Sequence, residues 1–173
     1  MRFLKRLLIV VLLLAGGVWL YGRSLPREHV ASSTVTLVAS SDTVWKLIRN
    51  IKSQPEWWDD VKSVTRMTGR AKESWEEDMG PAGKIQVEVS SEVAGRQLVV
   101  TILNETQQDW GGVWRYDVAT TGAGTEVTIT EQGWVQSPFF RVVSKFMGKH
   151  RTIDSLLRAL SDNFGEIASP RHG

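Results

Sequence analysis

The stretch GVWRYDVATTGAGTEVTITEQGW, Gly112 to Trp134, decides the fold. Trp114, Tyr116 and Val118 alternate with Arg115 and Asp117, and Val127 and Ile129 alternate with Glu126, Thr128 and Thr130. A period of two with one apolar face predicts two half-buried β-strands. The link Gly122-Ala123-Gly124 is too short for a parallel crossover, so the two strands form an antiparallel hairpin. Working upstream, strand candidates recur at 96–103, 84–93, 72–79, 61–68 and 30–38, and Ile85, Val87 and Val89 repeat the alternation. Gly95, Gly80-Pro81-Ala82-Gly83, Gly69 and an NETQQDWG stretch connect them. The result is a meander with one apolar face, which something must cover.

Helical segments flank the meander. In ASSDTVWKLIRNI, Ser40 or Ser41 can cap a helix, and Asp42 suits its positive end. Val44, Leu47, Ile48 and Ile51 form its apolar stripe, with Trp45 at the edge. Gln54-Pro55 ends that segment, and Glu56-Trp57-Trp58-Asp59-Asp60 fits a short turn or helix. Ser137-Pro138 is a second helix start. Beyond it Phe139, Val142, Val143, Phe146, His150, Ile153, Leu157, Leu160 and Phe164 recur at helical spacing. That spacing predicts one helix of about 27 residues, roughly 40 Å, as the cover, with Gly148 able to bend it or give a ligand room.

The first 27 residues have a different character. Arg2, Lys5 and Arg6 precede the apolar run LLIVVLLLAGGVWLY, Leu7 to Tyr21. Counted from Phe3, with the basic side chains snorkelling, it reaches about 28 Å as a helix, close to a hydrocarbon core of about 30 Å. Trp19 and Tyr21 suit the far headgroup zone, and the basic start argues that the N-terminus stays cytoplasmic. A cleavable signal peptide is the rival reading. The following GRSLPREHVAS gives no small-x-small site near the end of the run, so a retained anchor is expected. The division is then a membrane tether at 1–27, a domain at 28–165 and a flexible tail at 166–173. A single-pass protein of a bacterial inner membrane, with its domain in the periplasm or outside, is the expected placement.

Charge narrows the partners. The net charge is +2, but residues 1–28 hold five basic side chains against Glu28 alone, leaving 16 basic and 18 acidic side chains for the rest. The basic balance belongs to the leader, so nucleic acid is not expected as a partner. The membrane is, and the sequence names no protein partner. There is no cysteine, hence no disulfide and no thiolate chemistry. His29, His150 and His172 show no metal-ligand spacing, and there is no nucleotide fingerprint, so no metal or cofactor is expected.

Eight tryptophans and few reactive groups point to an apolar cavity. The candidates for its lining are Trp58, Trp75, Trp114, Tyr116, Trp134, Phe139 and Phe146. His150 is either a hydrogen-bonded helix residue or a polar group of the pocket. Glu131 falls in phase with Val127 and Ile129 and faces the covered side if that phase persists. A bulge at Glu131-Gln132-Gly133 would turn it out instead. Glu73, Glu76, Glu77 and Asp78 surround Trp75 without deciding a role, and most of the other charges read as a solvated face.

Three segments carry a family resemblance. Ala39-Ser40-Ser41-Asp42-Thr43-Val44-Trp45 resembles the opening of the first helix in the START-like, or helix-grip, superfamily, the polyketide cyclase/dehydrase and lipid transport group. Gln54-Pro55-Glu56-Trp57-Trp58-Asp59-Asp60-Val61 resembles its step into strand two, and Gly124-Thr125-Glu126-Val127-Thr128 its last-hairpin turn. The resemblance spans about 28–164. It implies a cavity between the sheet and the C-terminal helix for lipids, sterols, polyketides or aromatic hormones. Pattern and resemblance together give an α+β domain. In it a curved antiparallel sheet of about seven strands wraps on one long C-terminal helix, with two short helices after strand one and an N-terminal transmembrane helix. The leading expectation is membrane-tethered binding of a hydrophobic small molecule or lipid without chemistry. The alternatives are a cyclase- or dehydratase-like enzyme using Glu131, Tyr116 or His150 for proton transfer, and an interaction domain with a filled core.

Overall fold

The computed structural model describes residues 2–103 and 109–173; the 104–108 part of the NETQQDWG connector lies outside the described residues. Helix α1 (Arg2–Ser24) leads into β1 (Glu28–Leu37), α2 (Ser41–Arg49), a 3-10 turn and α3 (Gln54–Trp57). The meander follows as β2 (Ser63–Met67), β3 (Ser74–Asp78), β4 (Lys84–Val93), β5 (Gln97–Leu103), β6 (Trp110–Thr121) and β7 (Gly124–Val135). Then come α4 (Pro138–Met147), α5 (Arg151–Asn163) and a two-residue strand, β8 (Arg171–His172). Ser40 is the cap of α2, its side chain accepting from the Thr43 amide. Ser137 caps α4, accepting from the Phe140 amide.

The sheet corrects the expected architecture. Among the described residues it has eight strands in the order β2-β3-β4-β5-β6-β7-β1-β8, and each pairing is antiparallel. It is open, with β2 and β8 as separate edges, and it neither closes nor curls around a helix. The eighth strand comes from the tail: Ser33 pairs with His172 and Thr34 with Arg171. The expected single long helix is also two. Gly148, at φ +84°, ends α4, and α5 starts afresh at Arg151.

The central strands turn alternate residues inward. Ala31, Ser33, Val35 and Leu37 of β1, Val127 and Ile129 of β7, and Tyr116 and Val118 of β6 are all buried. Helix α5 lies against β1 and β7 and buries Ile153, Leu156, Leu157 and Leu160, each no more than 1% exposed. Full burial of such side chains stabilises by about 1.5–3 kcal/mol apiece. Helix α2 adds Val44, Trp45 and Ile48 to the same core. Its position is fixed by Arg49, whose Nη1 and Nη2 donate to the two Glu73 carboxylate oxygens at 3.0 and 2.6 Å, while Nε donates to Glu92 at 2.9 Å. A planar two-point contact of this kind orients as well as attracts.

The β6–β7 hairpin requires its glycine. Gly124 sits at φ +131°, and a Cβ there would lie 2.1 Å from the Leu37 carbonyl oxygen. Gly95, in the β4–β5 turn, has φ +76° but open space around it. Gly95→Ala is therefore expected to cost about 1–2 kcal/mol for the left-handed backbone alone. Gly124→Ala adds a clash with a neighbouring main chain and is expected to cost at least twice as much. Urea denaturation of the two variants checks this, and equal losses would contradict it.

Candidate functional site

A cavity of about 30 Å³ lies under the half of the sheet formed by β3 to β6. Ile85, Val87, Leu98, Val100 and Ile102 make its floor, and Trp114 and Tyr116 one wall. Ile48, Ile51, Gln54 and Trp58, from α2 and the segment after it, make its roof. Helix α5 contributes no lining residue, so the cavity is not where the resemblance put it. The physical reason is the packing just described: the leucine and isoleucine face of α5 fills its contact with β1 and β7 completely.

One lining residue is ionisable in the ordinary pH range. Glu77 belongs to β3, whose inward positions are Trp75 and Glu77, paired with Val87 and Ile85 on β4. Glu77 is 6% exposed and has no hydrogen-bond partner among the described residues. Burial alone pushes its carboxyl up to about 7. Tyr116 is also buried in the wall. Burial, followed by the nearby charges of Glu77 and Glu131, raises its phenol well above the usual range, so it stays protonated. Gln54 Oε1 and Trp114 Nε1 are buried without a partner among the described residues, and both side chains line the cavity. An acid, a phenol, an amide oxygen and an indole N–H thus share one small apolar space. Buried polar groups left without partners are uncommon; Trp57 Nε1 and Gln86 Oε1 are two more among the described residues, outside the cavity lining.

The aromatic residues predicted from sequence divide. Trp58, Trp114 and Tyr116 come together, with ring centroids 6.2 Å apart for the first pair and 6.4 Å for the second. Trp75 is buried next to the cavity but outside its lining. Its Nε1 donates to Glu73 at 2.9 Å, and Arg66 stacks on its ring. Trp134 is half-buried, its ring over Gly111, where a Cβ would sit 2.6 Å away. Phe139 and Phe146 lie on α4, 56% and 82% exposed and away from the cavity. Glu131 keeps the strand phase: pairing continues without a shift through Glu131, Gln132 and Gly133. It faces His29 Nε2 at 3.3 Å, above Gly133. His150 stands at the start of α5, its Nδ1 3.2 Å from Ser33 Oγ. Burial, then the neighbouring His172 and Lys149, hold its pKa below the ordinary value.

Glu77 and Gln54 escaped the sequence reading. The available signal was phase: Trp75-x-Glu77 continues the alternation of an inward strand face, which puts the carboxylate inside. A second concavity lies on the far side of Trp58. It is a polar groove of about 430 Å³ between α3 and α5, lined by Glu56, Trp57, Asp59, Arg158 and Asp162 among others. The groove is larger but open to solvent and of mixed charge; the inner cavity holds the perturbed acid. Trp58 borders both.

The comparisons agree with this architecture. No curated protein matches the chain. Among solved structures, a START superfamily protein from Mycobacterium smegmatis is 19% identical with a TM-score of 0.59, over 78% of this chain and 96% of that one. Truncated norcoclaurine synthase from Thalictrum flavum is 12% identical with a TM-score of 0.63, over 79% and 93%. The Zhui aromatase/cyclase from Streptomyces sp. R1128 is 15% identical with a TM-score of 0.62, over 77% and 91%. At these identities the likeness is one of fold. The family described as polyketide cyclase / dehydrase and lipid transport matches residues 28–164, the whole of the meander with its flanking helices, and the chain belongs to that family.

Proposed function

We propose that the domain takes a hydrophobic small molecule into the β3–β6 cavity and carries out proton transfer on it, with Glu77 as the acid or base. The observation that carries this is the unpartnered, buried Glu77 carboxyl. Its pKa near 7 lets it exchange a proton at neutral pH, which a solvated carboxylate does poorly. The Tyr116 hydroxyl and the Trp114 N–H supply neutral donors toward an oxygen of the bound molecule, and Gln54 Oε1 supplies an acceptor. Such a set suits cyclisation or dehydration, where a C–H or O–H proton leaves and an oxygen gains charge. The cyclase and synthase names among the fold relatives fit this class of chemistry.

The cavity as it stands has room for one or two water molecules. Access for a larger molecule follows from Trp58, the partition between cavity and outer groove. Displacement of its indole from Trp114 would join the two spaces. Its Nε1 donates only a 3.4 Å bond to Ser155 Oγ, so the close packing of a ring 2% exposed is the restraint such a movement must overcome.

The substrate is drawn from a membrane in this reading. Helix α1 has a span, Phe3–Ser24, long and apolar enough to cross a bilayer. Helix α4 is fastened to its end: the buried Arg141 guanidinium donates from Nη1 to the Gly22 and Leu25 carbonyls, both at 3.2 Å, and from Nε to Val135 O at 2.9 Å. The exposed Phe139, Phe140, Phe146 and Met147 of α4 therefore sit beside the end of α1, which supports a role for them in contact with lipid headgroups. The basic residues before the apolar run support a non-cytoplasmic side for this domain.

Two outcomes are expected. Wild type and Glu77→Gln differ in stability in a pH-dependent way. The folded carboxyl holds its proton to about pH 7 and the unfolded one only to about 4.5, so between those values the unfolded state binds fewer protons and wild type loses stability as pH rises. Glu77→Gln is spared that loss, on the order of 3 kcal/mol at pH 8, and the two proteins converge below about pH 4.5. Parallel denaturation series across this range measure it; a constant offset would contradict the assignment. For function, full-length protein in detergent is incubated with membrane lipid extract and with uncharged bicyclic aromatics such as 2-naphthol, and followed by native and liquid-chromatography mass spectrometry. Conversion by wild type that falls by about a hundredfold or more in Glu77→Gln, with ligand retained, is expected. A ligand held by both and altered by neither would overturn the enzymatic reading in favour of carriage. Binding by neither would favour a filled-core interaction domain.

A further inference from the structure

At the β1–β8 edge of the sheet, away from the cavity under β3 to β6, β8 and the start of α5 bring two histidines and a buried aspartate together. Asp154 is 7% exposed. Its Oδ1 accepts from Ser33 Oγ at 2.7 Å, and its Oδ2 faces His172 Nε2 at 2.9 Å. The His150 and His172 rings stack with centroids 3.9 Å apart and planes 11° from parallel. One potential ligand atom from each of His150, Asp154 and His172 lies within 4.8 Å of the other two.

Proton counting sharpens the arrangement. Ser33 has one hydroxyl proton, and the short contact to an ionised carboxylate, which can only accept, claims it. Ser33 Oγ must then accept from His150 Nδ1, 3.2 Å away, so His150 carries its proton on Nδ1 and keeps a free lone pair on Nε2. A ligand imidazole pinned in this tautomer, beside a carboxylate oriented by the same hydroxyl, is the outer-shell pattern that metal sites use.

We infer that His150, Asp154 and His172 form a three-ligand site for a divalent transition cation of the zinc class, with Ser33 as the group that orients two of the ligands. Two nitrogens and one carboxylate suit zinc or cobalt far better than calcium or magnesium, which take oxygen donors. A dication also compensates the buried Asp154 charge, which among the described residues has, besides His172, the 59%-exposed Arg158 3.9 Å away as a cationic neighbour. Tetrahedral coordination at about 2.0–2.1 Å places donors roughly 3.3 Å apart. Reaching that arrangement requires His172, half-exposed and on a strand only two residues long, to leave its stack on His150 and exchange its Nε2–H bond to Asp154 for the cation. Binding strengthens the link that His172 already makes from β8 to α5, so the tail is held more tightly with the cation than without it. The inference uses none of the cavity residues and stands apart from the proton-transfer reading.

The test uses full-length protein in detergent, stripped with chelator and titrated with Co²⁺ and then Zn²⁺. Saturable uptake of one equivalent is expected, with the intense visible bands of tetrahedral cobalt, bleached by zinc. His172→Ala is expected to weaken binding by more than a hundredfold, and Ser33→Ala by about ten- to a hundredfold with the bands retained. His29→Ala, at the histidine paired with Glu131, leaves binding unchanged. Unfolding temperatures measured in chelator show that the variants are folded, so a loss of binding is not a loss of structure. No saturable uptake by wild type, uptake indifferent to His172→Ala, or loss on His29→Ala equal to that on His172→Ala would each overturn the site.

Discussion

The two-residue period of a β-strand is the constraint on which the rest depends. In β3 it leaves two inward positions, and one of them is Glu77. A side chain placed there cannot turn to solvent without breaking the pairing of its strand with β2 and β4. The carboxyl is therefore held in an apolar space by the same hydrogen-bond ladder that builds the sheet. Glu73, just before the strand, shows the contrast. It is partnered by Arg49 and Trp75, and the Arg49 guanidinium holds its carboxyl below the ordinary range. Two glutamates four residues apart thus differ in setting, one tying α2 to the sheet and the other held in the apolar space beneath it.

Much of this fold was legible before any coordinates. Alternation in Trp114, Tyr116, Val118 and in Val127, Ile129 marked the last hairpin, and Ser40 and Ser137 marked two helix starts, because these signals are local. The division of the C-terminal segment was not legible in apolar spacing, which runs on through Gly148; the break comes from that glycine's left-handed backbone. The tail strand was invisible, since Arg171 and His172 gain their partners only when β1 presents a free edge. An open sheet in place of a wrapped one is a matter of strand twist and edge, and side-chain periodicity carries no record of either.

The site was legible in part for the same reason. Trp58, Trp114 and Tyr116 stood out as large rings and do meet. Phe139 and Phe146 fitted an apolar helical stripe equally well, yet that stripe faces outward beside α1. Glu77 was lost among four neighbouring acids, where composition decided no role and only the phase with Trp75 pointed inward. The His150–Asp154–His172 group is assembled from residues whose sequence spacing fits no ligand motif, because β8 supplies the third member from across the sheet edge.

Family membership and fold relatives leave carriers and enzymes on equal footing, since both occupy the same scaffold. The proton on Glu77 separates them. Its direct measurement is an isotope-edited infrared titration of full-length protein with ¹³C-labelled glutamate, with Glu77→Gln as the subtraction that isolates the single carboxyl. The account predicts a protonated-carboxyl band that disappears with a midpoint near pH 7. A midpoint at the ordinary glutamate value, about 4.5, would show a solvated or partnered side chain and contradict the proposed chemistry.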